Sequence, residues 1–174
     1  YNFGSGVING GYSGGFNAVI VKYATNGSPV WAKTVAGSGE SVFESVGVDG
    51  SGNSFAAGSM SGSSTFTFAG APSVSATNTS VNPVVVKINS SGVGQWARSV
   101  TSGTGSSSFH SLVLDSAANV YLAGVTFGNV SRTFGSSVIN PASSSGNALL
   151  VKYNSNGSNL WARTVESGSS MTEF

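Results

Sequence analysis

The side chains able to do acid–base, metal or nucleophilic chemistry are few in this chain of 174 residues. There is one histidine, His110, and no cysteine. His110 stands where Glu44 stands 66 residues earlier (110 − 44), which leaves neither a catalytic triad nor a His-rich metal site. The acids are Glu40, Glu44, Asp49, Asp115, Glu166 and Glu173. Glu40 and Glu44 could act as a glycosidase-type acid/base pair. Their counterparts further along are a serine and His110, so the pair is not kept, and no hydrolase is expected. Asp49-Gly50-Ser51-Gly52-Asn53 has the opening of a calcium loop but lacks the later glutamate. Asp115-Ser116-Ala117-Ala118-Asn119 puts alanine where ligands would be needed. A hairpin turn capped by Asp and Asn accounts for both. The expectation is therefore a non-enzymatic chain with no metal and no cofactor.

Six of the seven basic residues fall at two recurring places, Lys22/Lys87/Lys152 and Lys33/Arg98/Arg163. They could form a basic stripe for an acidic glycan. The simpler expectation is that their stems cover a neighbouring tryptophan or strand edge while the heads reach water. Cation–π contact with tryptophan would add to this. A Lys–Asn isopeptide bond would need an adjacent acid that the sequence does not place. Trp31, Trp96 and Trp161 could stack on sugars or serve as the tryptophans of quinoprotein blades. Their strict spacing argues for packing between repeats instead, and the Gly-x-Gly strings lie in Ser-rich loops. Asn26, Asn78, Asn89, Asn129 and Asn156 each head an Asn-x-Ser/Thr string, as chance supplies in so Ser-rich a chain.

What must position these residues is a repeat. The tryptophans are 65 apart (96 − 31, 161 − 96), as are Lys22, Lys87 and Lys152, Gly27, Gly92 and Gly157, and Asn17, Asn82 and Asn147. A fixed period of this size marks one supersecondary unit copied in tandem. Such units need neighbours to bury their faces. Trp31, Trp96, Trp161, Lys22, Lys87 and Lys152 are thus structural anchors of the repeat.

Each copy opens with an apolar strand, residues 18–23, 84–88 and 148–153. β-branched residues dominate the first two, which favours strand over helix. The apolar residues run on without alternation, the pattern of a strand covered on both faces. Turns follow at Asn26-Gly27, Ser91-Gly92 and Asn156-Gly157, where Asn-Gly supplies the positive φ of a tight hairpin. The return strands carry Trp31, Trp96 and Trp161. A second hairpin runs from Phe43 through the Asp49 turn to Gly58, and from Phe109 through the Asp115 turn to Gly124. A long Ser/Gly segment then leads onward with Phe68 or Phe134, matched by Phe3. It is an extra edge strand or a protruding loop.

Composition sets the outer bounds. Only 7% of residues are charged, against roughly 25% in ordinary soluble proteins. Yet 39% are hydrophobic, so this is not a disordered polar tract. A net charge of +1 offers no field for nucleic acid or acidic lipid. No apolar run approaches the ~18 residues of a membrane-spanning helix. Without cysteine there is no disulfide framework and no thiol chemistry. Low charge with abundant Ser, Thr, Gly and Asn points to an extracellular or cell-surface bacterial protein.

Four antiparallel strands per unit, covered on both faces, describe a blade of a β-propeller. The strings VVVKINSSGVGQWARSV (84–100) and FHSLVLDSAANVYLAG (109–124) resemble the bacterial β-propeller repeat known as SBBP. The resemblance covers nearly the whole chain. It departs in the longer linking segment and in the missing glycine of the Asp115 turn.

The expected fold is all-β, with tandem four-stranded antiparallel blades of a β-propeller, about two and a half of them, and a linear β-repeat array as the alternative. Residues 1–42 would be a partial blade, an outer hairpin plus the preceding strand. Residues 43–108 would be one blade, and 109–174 another that stops where the next begins, since Phe174 aligns with Phe109 (174 − 109 = 65). Propellers close with about 4–8 blades, so closure would need more chain or more subunits. The expected function is a secreted or surface-displayed binding and adhesion scaffold, with specificity in the loops 59–81 and 125–146. The alternative is a structural subunit of an extracellular filament or sheath joined by strand pairing. Partners would be a protein or glycan at those loops, or copies of the chain itself.

Overall fold

The computed structural model describes residues 1–62 and 64–172. The alignment of Phe174 with Phe109 lies outside the described residues. The fold is all-β. The strands are β1 (Val19–Tyr23), β2 (Pro29–Ala36), β3 (Ser41–Val48), β4 (Ser54–Ser61), β5 (Thr65–Phe68), β6 (Val74–Ser75), β7 (Val81–Ile88), β8 (Gly94–Arg98), β9 (Ser107–Leu114), β10 (Val120–Phe127), β11 (Arg132–Phe134), β12 (Ser137–Ile139), β13 (Gly146–Tyr153) and β14 (Asn159–Thr164). They form antiparallel sheets in the orders β1-β2-β5-β6, β3-β4-β7-β8 and β9-β10-β13-β14, with a separate β11-β12 ribbon.

The central strands β4 and β7 of the middle sheet are buried on both faces, which explains the unbroken apolar run of β7. Phe55, Ala57, Val85 and Trp96 share one core with Phe109, Leu122, Leu149 and Val151 of the C-terminal sheet. The alternate residues Ala56, Val84, Val86 and Ile88 share another with Ile20, Trp31 and Val35 of the N-terminal sheet. Side chains of successive strand residues point to opposite faces, so one apolar strand feeds two cores.

The three outer hairpins share one turn. The amide of Gly92 donates to the Asn89 carbonyl at 2.9 Å, and Asn89 closes the loop by donating to Val93 O at 2.9 Å. Gly27, Gly92 and Gly157 have φ of 81°, 84° and 78°. Only the glycine takes positive φ here. The positive φ expected at Asn-Gly is thus carried by the glycine, within a three-residue loop with a bulge. The pairing shift between Lys22 and Tyr23, and again between Lys152 and Tyr153, is that bulge.

The inner hairpins use the same geometry, with Gly52 (φ 75°) and Ala118 (φ 58°) at the left-handed position. For a residue with a Cβ that conformation costs roughly 1–2 kcal/mol. Ala118→Gly is therefore expected to raise the melting temperature by about 2–4 °C, and thermal melts of the two proteins check it.

The long linking segments fold as hairpins. β5 extends β2 through the Val35–Phe68 and Ala36–Thr67 pairs, and Ser102 bridges Thr133 of β11 just beyond β8. Phe66, Phe68, Phe134 and Ile139 are buried in the two inter-sheet cores. Of the two expectations for this segment, the edge strand describes it better than the protruding loop. Phe3, matched to these by sequence, is only half-buried.

Candidate functional site at the joints between sheets

The first two sheets each carry residues that grip the next. The indole Nε1 of Trp31 donates to the Ser90 carbonyl at 3.1 Å, and that of Trp96 to the Ser155 carbonyl at 3.1 Å. Lys22 donates to Ser90 O at 3.2 Å and Gly52 O at 3.3 Å; Lys87 donates to Ser155 O at 3.0 Å. Arg98 Nε donates to Gly157 O at 2.7 Å. One tryptophan and its basic neighbours thus clasp the glycine turn of the following repeat. The glycine lies flat under the indole. A Cβ on Gly92 would sit 2.9 Å from the Trp31 ring, and one on Gly157 2.8 Å from that of Trp96. Glycine is needed here for close approach as well as for its φ.

Around Trp96 the clasp is aromatic. Phe55 meets it edge-on at 5.9 Å, Tyr153 lies tilted at 6.5 Å, and the Arg98 guanidinium sits 5.6 Å from the ring centroid. Lys87 sits over Phe55 at 5.1 Å. The expectation that the basic heads reach water needs amending for Lys22, Lys87 and Arg98. Their heads are spent on carbonyl oxygens of the next repeat. Burial pushes the Tyr153 phenol well above its usual range, and its hydroxyl has no hydrogen-bond partner among the described residues.

The third set differs. Trp161 is half-buried, meeting Tyr121 edge-on at 6.1 Å. Lys152 turns back to donate to Tyr121 Oη at 2.6 Å, with Asp115 3.8 Å away. Arg163 donates to its own neighbour Ala162 O at 2.8 Å, as Arg98 does to Ala97 O at 2.8 Å, and is exposed.

The other sequence candidates are scattered. Glu44 and His110 are each the extra residue of a β-bulge, skipped between Phe43 and Ser45 and between Phe109 and Ser111. Gly58 and Gly124 stand opposite, where a Cβ would run into the carbonyls of Val42 and Ser108. Glu40 and Glu44 are exposed, and His110 bonds only Ser108, at 2.7 Å. Among the described residues no group of three His, Cys, Asp or Glu is placed to hold a metal.

Asp49 and Asp115 hold their turns as expected. Asp49 Oδ1 accepts from the amides of Ser51 and Asn53, and Oδ2 from the Asn53 side chain at 2.8 Å. Asp115 repeats this with Ala117 and Asn119. Slight burial works to raise the Asp49 pKa, but the bonds from Asn53 and Ser51 and the charge of Lys87 outweigh it, so the net shift is downward. The Asn119 side chain leads the lowering at Asp115, where desolvation opposes it and the amides of Asn119 and Ala117 and the charge of Lys152 assist. A carboxylate held below its unfolded value of about 3.9 contributes stability above that pH and loses it as pH falls through the folded pKa. The melting temperature should therefore drop in acid below about pH 4. Asn89 and Asn154 hold the outer turns with the same amide bonds. The double variant Asp49→Asn/Asp115→Asn should then keep its turns and flatten that acid limb, read from melts at stepped pH.

One residue escaped the sequence reading. Arg132, the seventh basic residue, is fully enclosed at 0% exposure. It donates to Gly105 O at 3.1 Å, Val130 O at 2.8 Å, Ser106 O at 3.5 Å and to the Phe127 carbonyl. The only ion pair among the described residues is Lys152–Asp115, so carbonyl dipoles alone meet its charge. The signal was its alignment with Phe66, each two residues before a buried phenylalanine.

No protein-family model and no curated protein matches the chain.

Proposed function

We propose that this chain is a non-enzymatic scaffold: tandem blades of a β-propeller of the SBBP kind, displayed outside a bacterial cell, that bind a protein or glycan partner. The observation that carries this reading is the use made of the chemically strongest residues. Trp31, Trp96, Lys22, Lys87 and Arg98 are committed to joining one repeat to the next. The approach of the edge strands β3 and β9, where Ser45 Oγ accepts from the Leu112 amide at 3.1 Å, suits blades converging on an axis. Part of what remains for a partner is hydroxyl and amide surface. On the β5–β6 hairpin, exposed hydroxyls pair as Thr65–Ser75 at 3.2 Å and Thr67–Ser73 at 2.6 Å, continued at its base by Ser38, just past β2, with Ser64 at 2.6 Å. Such rungs offer neutral donors and acceptors suited to sugar hydroxyls.

The test is glycan-array binding by the chain and by Thr65→Ala/Thr67→Ala. These side chains point away from Phe66 and Phe68, so the variant should melt like the parent. Array signal lost on a folded variant supports the reading. Signal unchanged, or no glycan bound at all, rejects the hydroxyl face as the binding surface.

A second reading, a structural subunit of a filament or sheath, is favoured by one observation. Among the described residues β1 pairs only with β2, whereas its counterparts β7 and β13 pair on both sides. An open edge of this kind templates pairing with another strand. Negative-stain electron microscopy separates the two, fibres supporting the second reading and discrete discs the first.

A further inference from the structure

We infer that copies of this chain associate head to tail, the Trp161 face of one copy clasping the Ala24–Ser28 turn of the next. The inference is independent of strand pairing at β1 and of any glycan partner.

Two such joints lie inside the chain. In both, a face carrying a tryptophan and a basic pair closes over a glycine turn one repeat later. In both, three residues of an apolar strand fill the gap: Val84, Val86 and Ile88 at the first joint, Leu149, Val151 and Tyr153 at the second. The two joints are chemically the same although most of their side chains differ, so the requirement is a pattern and not one set of residues.

The chain also presents each half of that joint once more, open. On the C-terminal sheet stand Tyr121, Ala123, Leu150 and Trp161, the counterparts of Phe55, Ala57, Val85 and Trp96. None of the four is buried, whereas all four counterparts are. Arg163 is already folded back on Ala162 O as Arg98 is on Ala97 O, in the posture from which Arg98 Nε reaches Gly157 O.

On the N-terminal sheet stand Val19, Val21 and Tyr23, the counterparts of Val84, Val86 and Ile88. Tyr23 is 51% exposed, while Ile88 and Tyr153 at the same place are 1%. Gly27 keeps the φ of Gly92 and Gly157, yet among the described residues no heavy atom beyond its chain neighbours lies within 4 Å of where its Cβ would be. Its turn offers the Thr25 carbonyl where Ser90 and Ser155 offer theirs.

The two open halves lie on opposite outer sheets and are complementary to each other, not each to itself. A contact between like halves cannot satisfy both. A heterologous contact can, and it continues from copy to copy as a ring or an open series. The bonds expected are Trp161 Nε1 to Thr25 O and Arg163 Nε to Gly27 O, with Lys152 leaving Tyr121 for the same turn.

The test is sedimentation velocity of the 174-residue chain over a concentration series, with two blocking variants. Trp161→Ala removes the clasp from a half-exposed position. Gly27→Asn keeps the left-handed turn, which Asn tolerates, and places a side chain where the indole would lie. Should that turn fail to hold, Thr25→Arg blocks the same exposed surface. The parent should associate as concentration rises, into a closed ring of two or more copies or an open series. Each folded variant alone should associate more than about tenfold more weakly, the loss typical of a central tryptophan anchor. Mixed in equal amounts, Trp161→Ala and Gly27→Asn should form a heterodimer and stop there, since each retains the half the other lacks. A parent that stays monomeric, variants that associate like the parent, or a mixture that stays monomeric would each overturn the inference.

Discussion

Trp96→Ala is expected to destabilise the protein by about 3–5 kcal/mol, the range for truncating a large buried aromatic. At this chain length each kcal/mol is worth about 2–4 °C, so the melting temperature should fall by about 6–20 °C. The loss has three parts. The indole fills the core between the middle and C-terminal sheets, beside Phe55 and Tyr153. It covers the Gly157 turn. Its Nε1 satisfies the Ser155 carbonyl. Trp161→Ala supplies the control. The residue type and repeat position are the same, but the ring is half-buried and its Nε1 has no acceptor among the described residues. It should cost less than half as much in dilute solution. Equal losses for the two variants, measured by denaturant unfolding, would mean the indole matters only within its own hairpin and would remove the clasp as the source of stability.

Arg132→Ala is the second large effect. The side chain is enclosed and holds four carbonyl oxygens, so its removal leaves both a cavity and acceptors without donors. Each buried group left unsatisfied costs about 1–3 kcal/mol, and the cavity adds to this. A total above about 3 kcal/mol is expected. Arg132→Lys should recover little, because one ammonium cannot span the acceptors that a planar five-donor fork reaches. Arg132→Phe is the informative variant. The same place in the preceding repeat is filled by Phe66, wholly buried, and the Ser106 carbonyl already accepts from Phe127 N at 2.8 Å. Phenylalanine should therefore restore more than half of what alanine loses. A buried charge is often replaceable by an apolar group of similar volume. If Phe were as damaging as Ala, the carbonyl bonds and not the filled volume would be what holds the β11–β12 ribbon in place.

The residues of the clasp were all visible in the sequence, but not what they clasp. Trp31, Trp96, Lys22, Lys87 and Arg98 announced themselves by their period. Their acceptors in the neighbouring repeat are the main-chain oxygens of Gly52, Ser90, Ser155 and Gly157. A carbonyl carries no residue identity, so nothing in the letters could mark it. The same holds for Arg132, whose partners are again all main-chain. Glu44 and His110 read as possible chemistry because they are rare residue types. Pairing shows each as the spare residue of a bulge, a feature that depends on the close approach of Gly58 or Gly124 from the neighbouring strand.

Local periodicity was enough to establish the tandem repeat, the all-β class, the hairpins and the Asp-capped turns. These depend on contacts between residues near in sequence, where side-chain alternation and backbone preference act directly. How the sheets meet depended on contacts between repeats. The linking hairpins wedge Phe66, Phe68 and Phe134 into the inter-sheet cores, the glycine turns slide under the indoles, and Trp161 and Gly27 are left open at opposite ends. Those outcomes follow from which faces come together in space, and identical repeat positions acquire different surroundings only once the sheets are stacked.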